Sequence, residues 1–300
     1  MSWMQNYFLD LWTLVLVIVD CAIALGLLLL LRAMMGIFFG VNTYHELSVK
    51  DNHAFGLMFG GAILSQMIVL QGVVSGGSTS GDLVSEIFYV ALYGLMGMLL
   101  IKAGRAIQDY WTLKLISIKK EIEQNNLSVA CVDVANALST ALILQSVLKW
   151  ESLTGIRGIF EVLVGFVFSQ GALFLMMFIR FKQFADKHPG MTLPLAFKQN
   201  HLSLGVRYLG QTVGAAVALT AVQSIFVVSS AFFLTDMVWW VLLCLIILSL
   251  HFLLNIGVKR ILLGDLPLDK EIVQEHNVGL AFVEAGLSLG VGILIVALFS

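Results

Sequence analysis

Eight apolar runs, each about 20 residues long and nearly free of charge, decide what this chain is able to fold into. They cover residues 12–31, 52–74, 83–101, 126–148, 159–179, 201–222, 237–256 and 277–299. Hydrocarbon offers no water to unpaired backbone groups, so a segment that crosses it is a helix or a strand of a closed barrel. Barrel strands alternate in polarity and last about 10 residues, whereas these runs are continuous and longer. The expectation is an all-α fold: a polytopic integral membrane protein with eight transmembrane helices, whose first partner is the lipid bilayer. Composition agrees, since charged residues make up only 12%, against about 25% in an average soluble domain. Cys21, Cys131 and Cys244 each lie inside an apolar run, without disulfide or metal spacing. The net charge of −2 argues against nucleic acid. The first run lacks a basic leader and a small-residue cleavage site, so it reads as a span and not as a removable signal.

Lys and Arg set the expected orientation. All 17 except Lys149, Arg157 and Arg207 fall after spans one, three, five and seven, among them Arg105, Lys114, Lys119, Lys120, Arg180 and Lys259. Basic loops stay inside, so the chain is expected to be multi-pass with both termini periplasmic. Trp3, Trp12, Trp150, Trp239 and Trp240 then fall near the outer interface, where an aromatic belt is expected. A further stretch, residues 105–124, reads as an amphipathic continuation of span three along the interface.

The even-numbered spans repeat one another without gaps. Asn52, Asn126, His201 and Asn277 share the entry position, and Gly56, Ala130, Gly205 and Ala281 follow four residues on. Seven on stand Phe59, Asp133, Tyr208 and Glu284; nine on stand Gly61, Ala135, Gly210 and Gly286. An Asn at a helix start accepts from orphan backbone N–H groups. Small residues at helical spacing let helices approach closely in lipid, so Gly56 with Gly60, and Gly286 with Gly290, are expected to be close-packing pairs. Aromatic and acidic residues alternate at the seventh position. The chain therefore reads as two four-helix units, 1–150 and 151–300, in parallel orientation because four is even.

Two stretches carry a resemblance: Glu46-Leu47 leading to Asn52, Ala54 and Gly56, and Glu271-Ile272 leading to Asn277, Gly279 and Ala281. They resemble the bacterial membrane family of unknown function 350 (YjfL-like), in two tandem copies. His201 departs from the Asn pattern. The resemblance implies a cell inner membrane location and neighbours in envelope-stress or polyamine physiology. It implies no activity and no catalytic residue.

Ionisable groups inside hydrocarbon are costly and mark function by default. Asp20 lies in span one and Glu161 in span five, while Asp133, Arg207 and Glu284 form a layer roughly 10 Å from the helix entries. Two carboxylates against one guanidinium suggest that Arg207 pairs with Glu284 and leaves Asp133 less compensated, free to exchange a proton or hold a cation. His251 and Asn255 read as a satisfied buried histidine with its neighbour. No histidine spacing indicates a metal site, no cofactor is implied, and no motif for nucleotide binding, nucleophilic hydrolysis or metalloprotease chemistry is present. The chain is therefore not expected to be an enzyme. Two readings stand side by side. One is a channel or transporter for a small ion or protons, acting through Asp133, Glu284, Arg207, Asp20 and Glu161. The other is a non-transporting scaffold whose basic loops recruit a peripheral cytoplasmic protein or anionic lipid. Small-residue faces also allow a homo-oligomer.

Overall fold

The computed structural model describes residues 11–40, 42–76, 83–112, 116–149, 155–226, 232–264 and 266–299. Lys114, Trp3 and Trp150 lie outside them. The described residues form helices and connecting turns, with no strand. The long helices are α1 (Leu11–Phe39), α2 (His53–Ser75) and α3 (Leu83–Thr112). After the short α4 (Ile118–Glu123) come α5 (Leu127–Val147) and α6 (Gly155–Lys187). The short α7 (Leu193–Lys198) precedes α8 (Leu202–Thr220) and a single turn, α9 (Val222–Ile225). The chain ends on α10 (Phe233–Leu263) and α11 (Val278–Phe299). Seven of these helices are long and apolar enough to cross a membrane. The eighth expected span corresponds to α8, which has 19 residues, carries Arg207 and Gln211, and is not among the seven.

The four helices that begin at the repeated entry motif stand side by side in a row: α2 against α5, α5 against α8, α8 against α11. They run in the same sense. Their starts are hydrogen-bonded to one another, and at the far end Gly76 at the close of α2 abuts the Leu148 carbonyl at the close of α5. The row does not close on itself, because α11 makes no such contact with α2. Position in the row fixes burial. The membrane window of α5, in the middle, is 83% buried, while that of α11, at the end, is 33% buried. The remaining long helices lie outside the row: α3 on α2 and α5, α6 on α5, α10 on α11 and α8, and α1 on α3 and α2.

Small residues let the row form. A Cβ on Gly61 of α2 would stand 2.6 Å from Val134 of α5, and one on Gly205 of α8 would stand 2.8 Å from the Ser128 backbone. Gly210 meets Ala285 across the α8–α11 junction, and Ala130 and Ala281 are fully buried. Gly60, Gly286 and Gly290 behave otherwise than expected. Nothing lies within 4 Å of a Cβ built on any of them, and Gly56 meets only Leu47, at 3.5 Å. The physical reason is the open row, which puts these glycines on its outer faces, beyond reach of another helix among the described residues.

Two further expectations change. The amphipathic stretch 105–124 is not one helix: α3 continues to Thr112, and α4 is separate. Trp240 is buried in the core, while Trp239 beside it is exposed.

Candidate functional site

Each helix of the row begins in the same way. The residue just before the entry position takes a left-handed backbone in all four copies: Asp51, Asn125, Asn200 and His276, with φ of 47°, 60°, 56° and 56°. Asn, Asp and His tolerate this conformation better than other side chains. The entry residue then caps its helix: Asn52 Oδ1 accepts from Phe55 N–H, Asn126 Oδ1 from Val129 N–H and Asn277 Oδ1 from Leu280 N–H, at 2.9, 3.1 and 3.0 Å.

The donor side of the same residues links one copy to the next, which the capping pattern alone does not reveal. Asn52 Nδ2 donates to the Ile122 carbonyl at 2.9 Å, and Asn126 Nδ2 to the Phe197 carbonyl at 3.0 Å. His201 Nε2 meets the Val273 carbonyl at 2.9 Å. Each acceptor lies four residues before the entry residue of the following copy. His201 therefore does not break the pattern; it lacks the capping bond but keeps the link. A second rung runs beside the first. Ala54 N–H donates to Asn125 Oδ1 at 2.9 Å, and Ser128 N–H to Asn200 Oδ1 at 3.2 Å.

A glutamate completes three of the four caps. Asn52, Asn126 and Asn277 each donate to their own copy's Glu46, Glu121 or Glu271, at 2.9, 2.8 and 3.0 Å. In the first and last copies a π-helical turn, His45–Val49 and Lys270–Gln274, absorbs one extra residue and keeps the glutamate in reach. Burial pushes the Glu46 carboxyl up, but the hydrogen bonds from Lys50 and Asn52 outweigh it and hold the group below its ordinary range.

Deeper in the row lies the acid layer. Glu284 on α11 is fully buried; Arg207 Nε of α8 lies 2.8 Å from its Oε2, and Lys259 Nζ of α10 donates to its Oε1 at 2.7 Å. Arg207 also donates to Asp269 at 2.9 Å. Burial pushes the Asp269 carboxyl up, but Arg207 and Lys187 more than offset this and hold it low. The expected Arg207–Glu284 pair is therefore present, with Lys259 as a second cation. Asp133 is not left uncompensated. Arg105 of α3 grips it with Nε at 2.8 Å from Oδ1 and Nη2 at 2.6 Å from Oδ2, the two-pronged geometry that guanidinium and carboxylate favour. By sequence Lys259 falls in a loop and Arg105 on an interfacial stretch; in the structure α3 and α10 carry both as helix, within reach of the acids.

The carboxylate of this layer without an ion pair among the described residues is instead Asp109, half-buried one turn beyond Arg105. It is within electrostatic reach of both Arg105 and Asp133, and its Oδ1 is buried without a hydrogen-bond partner among the described residues. With Lys102, Arg105 and Gln66 it lines a cavity of about 200 Å³ between α1, α2 and α3. Gln66 Oε1 is likewise buried and unpartnered. The Arg105-x-x-x-Asp109 spacing was the available signal, obscured by reading residues 105–124 as an interfacial stretch outside the apolar span. Above Asp133, α5 continues as a polar stripe. Tyr208 donates to Asn136 at 3.0 Å, and Gln108, Thr140 and Gln170 bond one another.

The other expected groups stand apart. Asp20 is half-buried on α1, and among the described residues no hydrogen bond or ion pair joins it to the acid layer. Glu161 is buried on α6, in electrostatic reach of Tyr93. His251 Nε2 meets the Ser288 carbonyl at 3.1 Å, and Asn255 donates to the His251 carbonyl at 2.8 Å. Among the described residues no three His, Cys, Asp or Glu side chains stand close enough together to hold a metal ion.

Comparison with known proteins agrees with this repeated, membrane-type architecture. A UPF0719 transmembrane protein from Aquifex aeolicus (strain VF5) is 25% identical over 105 residues, covering 35% of this chain and 39% of that protein. The likeness and the seven apolar helices identify a multi-pass membrane protein. No solved structure matches. The family model described as Domain of Unknown Function (DUF350) matches twice, over residues 8–148 and 153–299, so the chain belongs to that family and carries two copies of it in tandem.

Proposed function

We propose that this is an inner-membrane protein of eight spans that passes protons or a small cation through its acid layer, with Asp109 and Asp133 as the exchanging pair. The observation that carries the reading is a buried and a half-buried carboxylate, Asp133 and Asp109, with one guanidinium, Arg105, ion-paired to the first alone, beside a cavity lined by Asp109, Gln66 and Lys102. An isolated ionised pair of this kind is costly in a membrane interior, so one proton or cation resident at the site relieves it. Glu284 differs, since two cations already match it. The eighth span is α8, whose place between α5 and α11 supports a full crossing. The basic loops support both termini on the periplasmic side, and no catalysis is part of the reading.

Flux in proteoliposomes, followed with a trapped pH dye or by cation uptake, tests this. Asp109→Asn is expected to abolish flux and Glu284→Gln to leave it largely intact. Equal flux in wild type and Asp109→Asn overturns the reading. A second reading, the non-transporting scaffold, is favoured by the exposed Lys119, Lys120, Lys182, Lys198 and Arg260 near the helix entries, which would face anionic lipid or a peripheral protein. It gains if no flux is measurable and the protein retains such a partner.

A further inference from the structure

The ladder that joins the four copies has two open ends, and they complement each other. We infer that a second copy of this chain docks head to tail, with α11 of one molecule against α2 of the next, in continuation of the row. This is independent of the ion-handling reading.

The α5–α8 junction, where the first unit meets the second, supplies the template. There Asn126 donates to the Phe197 carbonyl at 3.0 Å and the Lys198 carbonyl at 3.3 Å, and Ser128 N–H donates to Asn200 Oδ1. Gly205 packs on Ser128, and Tyr208 donates to Asn136. Moved along by one unit, Asn277 takes the place of Asn126, and the Ser48 and Val49 carbonyls take those of Phe197 and Lys198. Gly279 N–H faces the Asp51 carboxylate, and Gly56 faces Gly279.

Four features of the free ends fit this register. Asn277 has the same side chain as Asn52 and Asn126, yet donates to its own Glu271 and to no following copy. Asp51 holds the same left-handed backbone as Asn125 and Asn200, with an exposed acceptor at the place where theirs are filled. The polar pair Tyr208–Asn136 becomes Phe59–Leu287, so both members change from polar to apolar together. Inside the chain, position nine of one copy packs on position eight of the next, as Gly61 does on Val134 and Gly210 on Ala285. The corresponding residues at the ends are Gly286 and Gly60. Both are exposed, and a Cβ built on either meets no atom of another described element within 4 Å.

The junction joins unlike faces, so it is heterologous, and closure into a ring or growth along a line depends on the rotation per molecule. Because α2 and α11 run in the same sense, the two molecules keep one membrane orientation.

Disulfide trapping in native membranes tests the inference, in a chain with Cys21, Cys131 and Cys244 replaced. Gly60→Cys and Gly286→Cys, on separately tagged chains made together, are expected to yield a mixed covalent dimer under mild oxidation, while either variant alone yields none. Dimers from Gly286→Cys alone mean that α11 pairs with itself and overturn the inference. So does an internal disulfide when one chain carries both substitutions, since that requires the row to curl shut. Absence of any disulfide, with a mass of one 32.9 kDa chain in lipid nanodiscs, overturns it as well. Where a dimer is trapped, Gly286→Leu is expected to lower the associated fraction at least tenfold, while Gly257→Leu, on the exposed face of α10, leaves it unchanged. Equal association in the two variants counts against the register.

Discussion

At the residue scale, the entry residues act twice, once as caps and once as links, so their removal costs more than a cap. Loss of an N-cap side chain costs about 1 kcal/mol, and a buried hydrogen bond left unmade adds about 1–3 kcal/mol. Asn126→Ala is therefore expected to lower the unfolding midpoint in detergent more than Asn277→Ala, which loses the cap without a link. Equal shifts in the two variants would remove the link from the account. His201 gives a pH signature. Burial holds its imidazole below the usual value, against the help of the Val273 carbonyl. The unfolded chain takes up the proton first, so stability is full above the unfolded pKa of about 6.5 and declines as pH falls from there toward the folded value. His201→Asn, which restores the residue of the other three copies, is expected to flatten the thermal midpoint between pH 7 and 5. The Arg105–Asp133 pair makes a third case: Asp133→Ala removes the two-pronged partner of a half-buried guanidinium and leaves only Asp109 near it, at a cost of up to about 3 kcal/mol. The double variant Asp133→Leu with Arg105→Leu is expected to recover most of that loss in an unfolding titration.

At the scale of elements, helix starts are legible in the sequence and helix ends are not. An Asn before an apolar run has a specific job at a helix start, and α2, α5 and α11 begin just after theirs. The basic ends of α3 and α10 carry no such mark. A helix continues beyond its apolar run when its polar residues find partners, and Arg105 and Lys259 find Asp133 and Glu284. Those pairings come from helices far apart in sequence, so spacing alone does not contain them; Arg207 with Glu284 is legible because they stand at neighbouring positions, six and seven, of aligned copies. The glycines divide in the same way. Their periodicity marks a packing face, but only the order of helices decides which faces are filled. Gly205→Leu, which meets the Ser128 backbone, is expected to prevent stable packing of α5 on α8, read as loss of monodisperse protein in size-exclusion chromatography. Gly290→Leu, on an outer face, is expected to leave the fold intact.

At the scale of the whole molecule, the parallel row predicts a labelling pattern. Cysteines at the exposed positions Gln124, Gln199 and Gln274 are expected to react with an impermeant maleimide from one side of the membrane, and a cysteine at Ser75 from the other. The proposed orientation makes the first side cytoplasmic; the same labelling on intact cells and inverted vesicles would exclude it. The ladder also has a direction in time. Every link runs from an earlier copy to a carbonyl of a later one. As the chain leaves the ribosome, each newly inserted helix therefore waits with an unmet donor until the following copy arrives to receive it. Assembly of the row can therefore follow translation, each copy closing the junction that the one before it leaves open.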